Sequence, residues 1–307
     1  MVKNFMKIFD DITLVYVSYN SDSLFQKNID IINKFNTVII DNSNSLNLKN
    51  YLINYPKINY IKTPVNLGFG SAMNLGVKNA STPYVLLLNP DINFTIESID
   101  ILYKAFISYP NSGTAGPSLY TADHVRRSNS SLSYIKKKIY RNNFSRNIYK
   151  KIDKNLSEGS LSCDYIIGCA MLFKKEFFLK INGFDENFFM YFEDNDICDR
   201  IKKEKKLILE IPKSKMSHLQ GMSTKPSFKL NSILSIIHKI SEYKYLKKNI
   251  SIFKLFLILL INALDFFQRL VVNLFLLKFK NFFTNLLRLI SIFLYITGIH
   301  SLIKFLK

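Results

Sequence analysis

The stretch Tyr84–Asp91, YVLLLNPD, decides how the chain is read. A continuous apolar run without alternation describes a strand buried on both faces, and Asn89, Pro90 and Asp91 end it. Upstream the same pattern recurs. Ile12–Val17 is an unbroken β-branched and aromatic run between Asp10–Asp11 and the polar stretch Ser18–Ser23. Thr37–Ile40 is stopped by Asp41, Asn42 and Ser43, and Ile58–Ile61 precedes the loop Thr63–Gly70. Helical stretches fall between them, from about Asp22 to Lys34 and from a Ser71 cap to about Ala80. Strands alternating with helices predict an α/β domain whose mostly parallel sheet is flanked by helices. In such sheets ligands collect beyond the carboxyl ends of the strands. Ser18, Tyr19 and Asn20, then Asp41–Ser43, then Asn89–Asp91 follow three of those ends. Each alone is ordinary turn chemistry; together they mark one polar edge.

Downstream, Phe188–Arg200 reads FFMYFEDNDICDR. An aromatic run leads into Glu193, Asp194 and Asp196, and then into a helical pattern in which Ile197 and Ile201 share a face and Asp196 can pair with Arg200. A carboxylate held beside rings and a second carboxylate is harder to ionise, which is how a general base is prepared. The plain alternative is a helix start whose acids suit the helix dipole. Asp164–Phe173 reads as one strand, with Gly168 and Ala170 as small positions that let a ligand or another backbone come close. Between 123 and 160 periodicity is lost and charge rises, the pattern of a basic loop or partly helical insertion, either a lid or a solvated connector.

The net charge of +19 over 307 residues is unevenly spread. Residues 126–154 hold ten Lys and Arg against one acid, and residues 225–307 hold thirteen against two; elsewhere the charges nearly balance. Basic segments attract nucleic acid, anionic lipid or phosphorylated ligands. A nucleic-acid-binding protein would interleave bases with aromatics on one face, whereas the larger basic tract here is embedded in lipid-like sequence, so no nucleic-acid partner is expected. Cys163, Cys169 and Cys198 have neither metal nor disulfide spacing, which points to a reducing compartment. The first residues, MVKNFMKIFDD, reach acids before any useful apolar run, so no signal peptide is expected.

At six places in order the chain resembles the family-2 glycosyltransferases of GT-A fold, a Rossmann-like α/β architecture, and especially their rhamnosyltransferase-like branch. The elements are VSYNS at Val17–Ser21, DNS at Asp41–Ser43, NLGFGSAMNLG at Asn66–Gly76, LLLNPD at Leu86–Asp91, GFDENFFMYFEDNDICDR at Gly183–Arg200, and HLQGMS at His218–Ser223. The resemblance implies a catalytic domain over 1–224. It places Asp41 at the nucleotide base, with Ser18, Tyr19 and Asn20 beside base and ribose, and Asn66, Gly68, Gly70 and Asn89 along the sugar nucleotide. Asp91 takes the metal-binding position, although Asn89 replaces the first Asp of the family's Asp-x-Asp pattern, and His218 would complete the shell. The implied cofactor is a divalent metal, Mg²⁺ or Mn²⁺, bound with the donor. Asp194 is then the base that activates the acceptor hydroxyl, Glu193 orients the site, and Phe184, Phe188 and Phe189 surround it or pack the core. A nucleotidyltransferase would want a Gly-rich, basic signature near the first strand, which VSYNSDS lacks.

After Lys225 the character changes. Ile252–Leu277 is largely apolar with Asn262, Asp265, Arg269 and Asn273 at helical spacing, and Phe282 to about Ile303 carries Thr284, Arg288 and Ser291 in a similar stripe. Neither reads as clean enough to span a bilayer, so 225–307 is expected to be an amphipathic helical region lying on an anionic membrane surface; packing on the catalytic domain, or homodimerisation, is the alternative. The expected protein is a peripheral enzyme of the cytoplasmic face of the plasma membrane. It would move a sugar, first rhamnose and otherwise galactose, galactofuranose or N-acetylglucosamine, from a dTDP- or UDP-linked donor to a glycan or polyprenyl-diphosphate-linked acceptor in bacterial surface polysaccharide synthesis.

Overall fold

The computed structural model describes residues 6–121, 123, 125–127, 130–131, 161–219 and 227–298. Most of the basic segment 123–160, and Gly221 and Ser223, lie outside them. The chain forms two compact units, Met1–Asp185 with Glu193–Lys225, and Glu186–Phe192 with Pro226–Lys307.

The strands of the first unit are β1 Ile12–Ser18, β2 Asn36–Asp41, β3 Ile58–Lys62, β4 Tyr84–Leu88, β5 Ile92–Asn93, β6 Ser112–Tyr120, β7 Arg126–Arg127, β8 Ser130–Ser131, β9 Leu161–Ser162, β10 Tyr165–Ile166, β11 Ala170–Lys174 and β12 Leu207–His218. The main sheet runs β3-β2-β1-β4-β11-β6-β12-β5. Its first four strands are parallel, as their continuous apolar runs predict. Ile12, Leu14 and Tyr16 enter one buried cluster and Val15 the cluster on the other face, so both sides of β1 are covered.

The sheet is mostly parallel, as expected, with antiparallel members: β11 runs antiparallel between β4 and β6, and β5 runs antiparallel to β12. β6 and β12 are parallel to each other. The carboxyl ends of β1, β2, β4 and β12 and the amino end of β11 therefore share one edge.

Two local expectations are corrected. Asp164–Phe173 is not one strand: it breaks at a turn around Gly168, so that β10 pairs with β8 and only β11 joins the main sheet. The helix after the Thr63–Gly70 loop starts at Phe69, with Gly68 at its N-cap and φ 82 there, so Ser71 lies inside the helix. This helix is tied to the 183–184 turn by a reciprocal pair: Asn74 Nδ2 donates to the Phe184 carbonyl and the Phe184 N–H donates to Asn74 Oδ1, both at 2.8 Å. Gly183 has φ 56, and a Cβ there would sit 2.3 Å from Asn74 Oδ1, so the turn requires glycine.

The second unit holds three helices, Phe228–Asn249, Ile252–Phe275 and Phe279–Thr297. Tyr243 packs on Tyr295 with ring centroids 5.4 Å apart, and Lys239 and Arg288 both lie over the Phe266 ring. The sequence reading of the last two stretches as too polar to span is modified. By length and composition alone, both helices are long and apolar enough to cross a membrane, and most of their residues are not buried. Their polar stripe is satisfied within each helix. Arg269 pairs with Asp265 at 2.9 Å, and Asn273, Thr284 and Ser291 donate to carbonyls one turn back, which lowers the cost of placing them in an apolar surrounding.

Candidate active site

The shared sheet edge collects buried polar atoms that no protein group satisfies. Among the described residues, Ser18 Oγ, Asp22 Oδ1, Ser43 Oγ, Asn89 Oδ1, Asp91 Oδ1 and Glu193 Oε2 have no hydrogen-bond partner. Native interiors leave few such groups, and a row of them along one edge is the signature of a site completed by a ligand.

At the β4 end, Asp91 is buried, with 4% of its surface exposed. The pairing of β5 with β12 sets His218 opposite Ile92, and the Leu219 N–H donates to the Asp91 carbonyl. His218 Nε2 thus lies 3.3 Å from Asp91 Oδ1, within ion-pair reach yet not angled as a hydrogen bond. A carboxylate oxygen and an imidazole nitrogen therefore approach one another without bonding. That donor set suits a hard or borderline divalent cation. No group of three or more His, Cys, Asp or Glu side chains able to hold a metal occurs among the described residues.

Glu193 and Asp194 open the helix Glu193–Lys203. The sequence suggests a carboxyl held beside aromatic rings and a second carboxyl without saying which of the pair it is; Glu193 is the buried one. Burial, then the charge of Asp194, push the Glu193 carboxyl up to about 8. Asp194 is half-buried and held by four donors. Tyr165 Oη at 2.6 Å and the Gly168 N–H at 3.1 Å reach Oδ2, and the Asn195 N–H at 2.8 Å and Nδ2 at 3.1 Å reach Oδ1. Every partner donates, the pattern that an ionised carboxylate accepts. The turn that breaks the predicted strand has its reason here: a Cβ on Gly168 would lie 3.2 Å from Asp194 Cβ. The Tyr165 hydroxyl is pushed well up by burial and the Asp194 charge, and stays a donor.

Cys169 accepts the Asn89 N–H through its carbonyl at 2.9 Å, and burial, then the charges of Asp91 and of Asp194, raise its thiol.

At the β2 end Asp41 is fully buried, and its carboxylate accepts from Tyr60 Oη at 2.7 Å, Lys62 Nζ at 3.4 Å and the Ser43 N–H at 2.9 Å. Its neighbour Asp22 is raised by burial and by the Asp41 charge. Ser18 is buried, Tyr19 is 41% exposed, and Asn20 takes φ 55, which turns the chain sharply at the β1 end. Asn66 Oδ1 accepts the Gly68 N–H and Asn42 Nδ2 donates to the Gly68 carbonyl, shaping the loop before the helix. Asp196 pairs with Arg200 at 2.8 Å within its own helix. Phe184 and Phe188 are buried packing residues, whereas Phe189 is partly open. Tyr165, and the amide of Gly168, were not singled out as site groups by sequence; a tyrosine and a glycine flanking an apolar pair carry no motif of their own.

The profile described as glycosyl transferase family 2 matches residues 13–180, more than half of the chain. The chain belongs to glycosyl transferase family 2. A second profile, described as the N-terminal domain of galactosyltransferase, matches residues 151–225 of this family-2 chain. The family-2 chain is 27% identical over 188 residues to an N-acetylglucosaminyl-diphospho-decaprenol L-rhamnosyltransferase of Mycobacterium tuberculosis, covering 55% of this chain and 61% of that one. It is 29% identical over 204 residues to the rhamnosyltransferase WbbL of Escherichia coli K12, covering 61% and 75%. The match thus spans about three-fifths of the mycobacterial relative's length. Among solved structures, the mannosyltransferase PcManGT of Pyrobaculum calidifontis, in complex with GDP-Man and Mn²⁺, superposes with a TM-score of 0.54 at 14% identity, covering 78% of this chain and 65% of that one. The fold is GT-A.

The pKa of Glu193 gives a pH prediction. The carboxyl keeps its proton up to about pH 8 when folded, against a reference value of 4.5. Between those values the folded state binds more protons than the unfolded, so this group makes stability fall as pH rises. Glu193→Gln has no proton to lose and flattens that decline, which denaturant midpoints measured at pH 5 and pH 8 will read.

Proposed function

We propose that this chain is a metal-assisted, inverting glycosyltransferase. It transfers a sugar from a nucleoside-diphosphate donor to an acceptor hydroxyl, in the assembly of a surface glycan on a polyprenyl-diphosphate carrier. The observation that carries the reading is the row of unsatisfied buried polar atoms joining the β1, β2 and β4 ends to Glu193. Ser18, Tyr19 and Asn20 with the Asp41 corner face the nucleotide, and Asn66, Gly68 and Asn89 border the sugar diphosphate. Because Asp41 is already held by Tyr60, Lys62 and Ser43, it acts on the base only by exchanging one of those donors. Asp91 and His218 would hold Mg²⁺ or Mn²⁺ bound with the donor, and the ion would supply positive charge against the departing nucleoside diphosphate.

Asp194 takes the proton from the acceptor hydroxyl. Its four acceptor positions are filled, and the Asn195 side-chain amide, on a half-buried neighbour, is the donor that an incoming hydroxyl replaces. Burial and the neighbouring Asp194 charge favour the protonated form of Glu193. Two relatives named rhamnosyltransferases support rhamnose as the sugar, with dTDP-rhamnose the proposed donor; galactose, galactofuranose or N-acetylglucosamine is the alternative. The helices Ile252–Phe275 and Phe279–Thr297 rest on the anionic surface of the plasma membrane at its cytoplasmic face, with Lys247, Lys248, Lys278 and Lys280 meeting headgroups.

A thermal-shift screen of dTDP-, UDP- and GDP-sugars with and without Mn²⁺ tests the enzyme reading. A nucleotide sugar that raises the melting temperature only with metal is expected, since a ligand bound to the native state alone stabilises it; no shift with any nucleotide sugar contradicts it. For the membrane reading, the full-length chain is expected to sediment with vesicles containing phosphatidylglycerol and to be released by detergent. A chain that stays soluble without detergent, in low and high salt alike, overturns that part alone.

A further inference from the structure

The short segment Glu186–Phe192 belongs to the second unit, while the residues on either side of it, Asp185 and Glu193, belong to the first. Its last two residues, Tyr191 and Phe192, both have φ 68. Bulky L-residues avoid the left-handed region, and two in succession persist only where the surroundings over-determine them. The next residue in the chain is Glu193, followed by Asp194.

The surroundings come from one face of the helix Phe228–Asn249. The His238 ring lies 5.2 Å from Tyr191 and 5.3 Å from Phe192, and Tyr245 lies 5.5 Å from Phe192. Ser241 Oγ donates to the Met190 carbonyl and Lys244 Nζ to the Asn187 carbonyl, each at 2.8 Å. Lys248 lies over the Phe188 ring. Residues 238, 241, 245 and 248 recur at helical spacing and make one stripe. The rest of the helix is fixed elsewhere, with Lys239 over Phe266 and Tyr243 against Tyr295.

We infer that His238 and Ser241 are positioning residues for Asp194: they hold Tyr191 and Phe192, with the Met190 carbonyl before them, in the left-handed backbone that delivers Glu193 and Asp194 to the first turn of their helix. The inference rests on the reading of Asp194 as the base. Without the His238 ring and the Ser241 bond, Tyr191 and Phe192 relax to negative φ. The first turn of the following helix then loses its fixed entry, and the bonds from Tyr165 and Gly168 to Asp194 lose their register.

The test uses the full-length chain with Mn²⁺, dTDP-rhamnose and an N-acetylglucosaminyl-diphospho-polyprenol acceptor. His238→Ala and Ser241→Ala are each expected to lower kcat by roughly ten- to a hundredfold, the scale of a small misplacement of a reacting group. Donor affinity, read by calorimetry, stays within about twofold. Amides of residues 191–195 exchange faster with deuterium in both variants, and His238→Phe, which keeps the ring, restores most of kcat. Wild-type kcat in both alanine variants, unchanged exchange at 191–195, or a loss of kcat matched by loss of donor binding overturns the inference. If His238→Ala does not fold, Ser241→Ala, which removes one hydroxyl, decides alone. Asp194→Asn in the same assay separates the two readings. Normal turnover there removes the base assignment, whereas an inert Asp194→Asn beside fully active helix variants removes only the positioning role.

Discussion

Asp194→Asn is expected to abolish sugar transfer and to leave nucleotide-sugar binding intact. A hydroxyl is a poor nucleophile until its proton has somewhere to go, and general-base catalysis is worth about 10²- to 10⁴-fold. Asn keeps the shape of the side chain and an oxygen for the Tyr165 and Gly168 donors, so the fold and the donor pocket survive. What it loses is the negative charge and Oδ1 as an acceptor: an amide does not take the hydroxyl proton, and its NH₂ group faces the Asn195 donors without bonding them. The measurement is kcat beside a donor titration of the same protein. A fall in kcat with an unchanged donor Kd is expected; equal losses of both would mean that Asp194 binds donor instead.

The second large effect belongs to Asp91. Its Oδ1 has no hydrogen-bond partner among the described residues, so Asp91→Asn is expected to disturb the fold little and its cost to be read almost entirely in function. A neutral amide is a poor ligand for a hard cation. With the metal-bound diphosphate contributing several kcal/mol, the loss in kcat/KM is about 10²-fold or more. The Mn²⁺-dependent part of the thermal shift by a nucleotide sugar should vanish in this variant. A Mn²⁺-dependent shift equal to wild type would remove Asp91 from the metal site.

Much of this edge is written in the sequence because β1, β2 and β4 are covered on both faces. Their composition has to be continuously apolar, and the polar residues that follow have to sit at the ends. Strand direction is not written there: nothing in AMLFK at Ala170–Lys174 distinguishes the antiparallel β11 from a parallel neighbour. The break at Gly168 was hidden for a related reason. Tyr165 to Phe173 is apolar enough for one strand, and only the approach of Asp194 from another element explains the turn. The division of labour between Glu193 and Asp194 was also beyond sequence, since adjacent carboxyls look alike until burial separates them. Within the helical region expected over 225–307, the helix Phe228–Asn249 was not delimited, because it packs on two sides, against 186–192 and against the last two helices, so no single apolar stripe stands out. Conversely, the carboxylate of Asp41 was legible after β2, but not its partners Tyr60 and Lys62, which arrive from the next strand.

The most direct measurement is a crystal structure of the Asp194→Asn variant with dTDP-rhamnose and Mn²⁺, in which binding proceeds and transfer does not. The account predicts the nucleoside along the ends of β1 and β2, the metal and diphosphate at Asp91 and His218, and the anomeric carbon open toward residue 194. A donor bound on any other face, or lying at Asp91 with residue 194 turned away behind packed side chains, would contradict it.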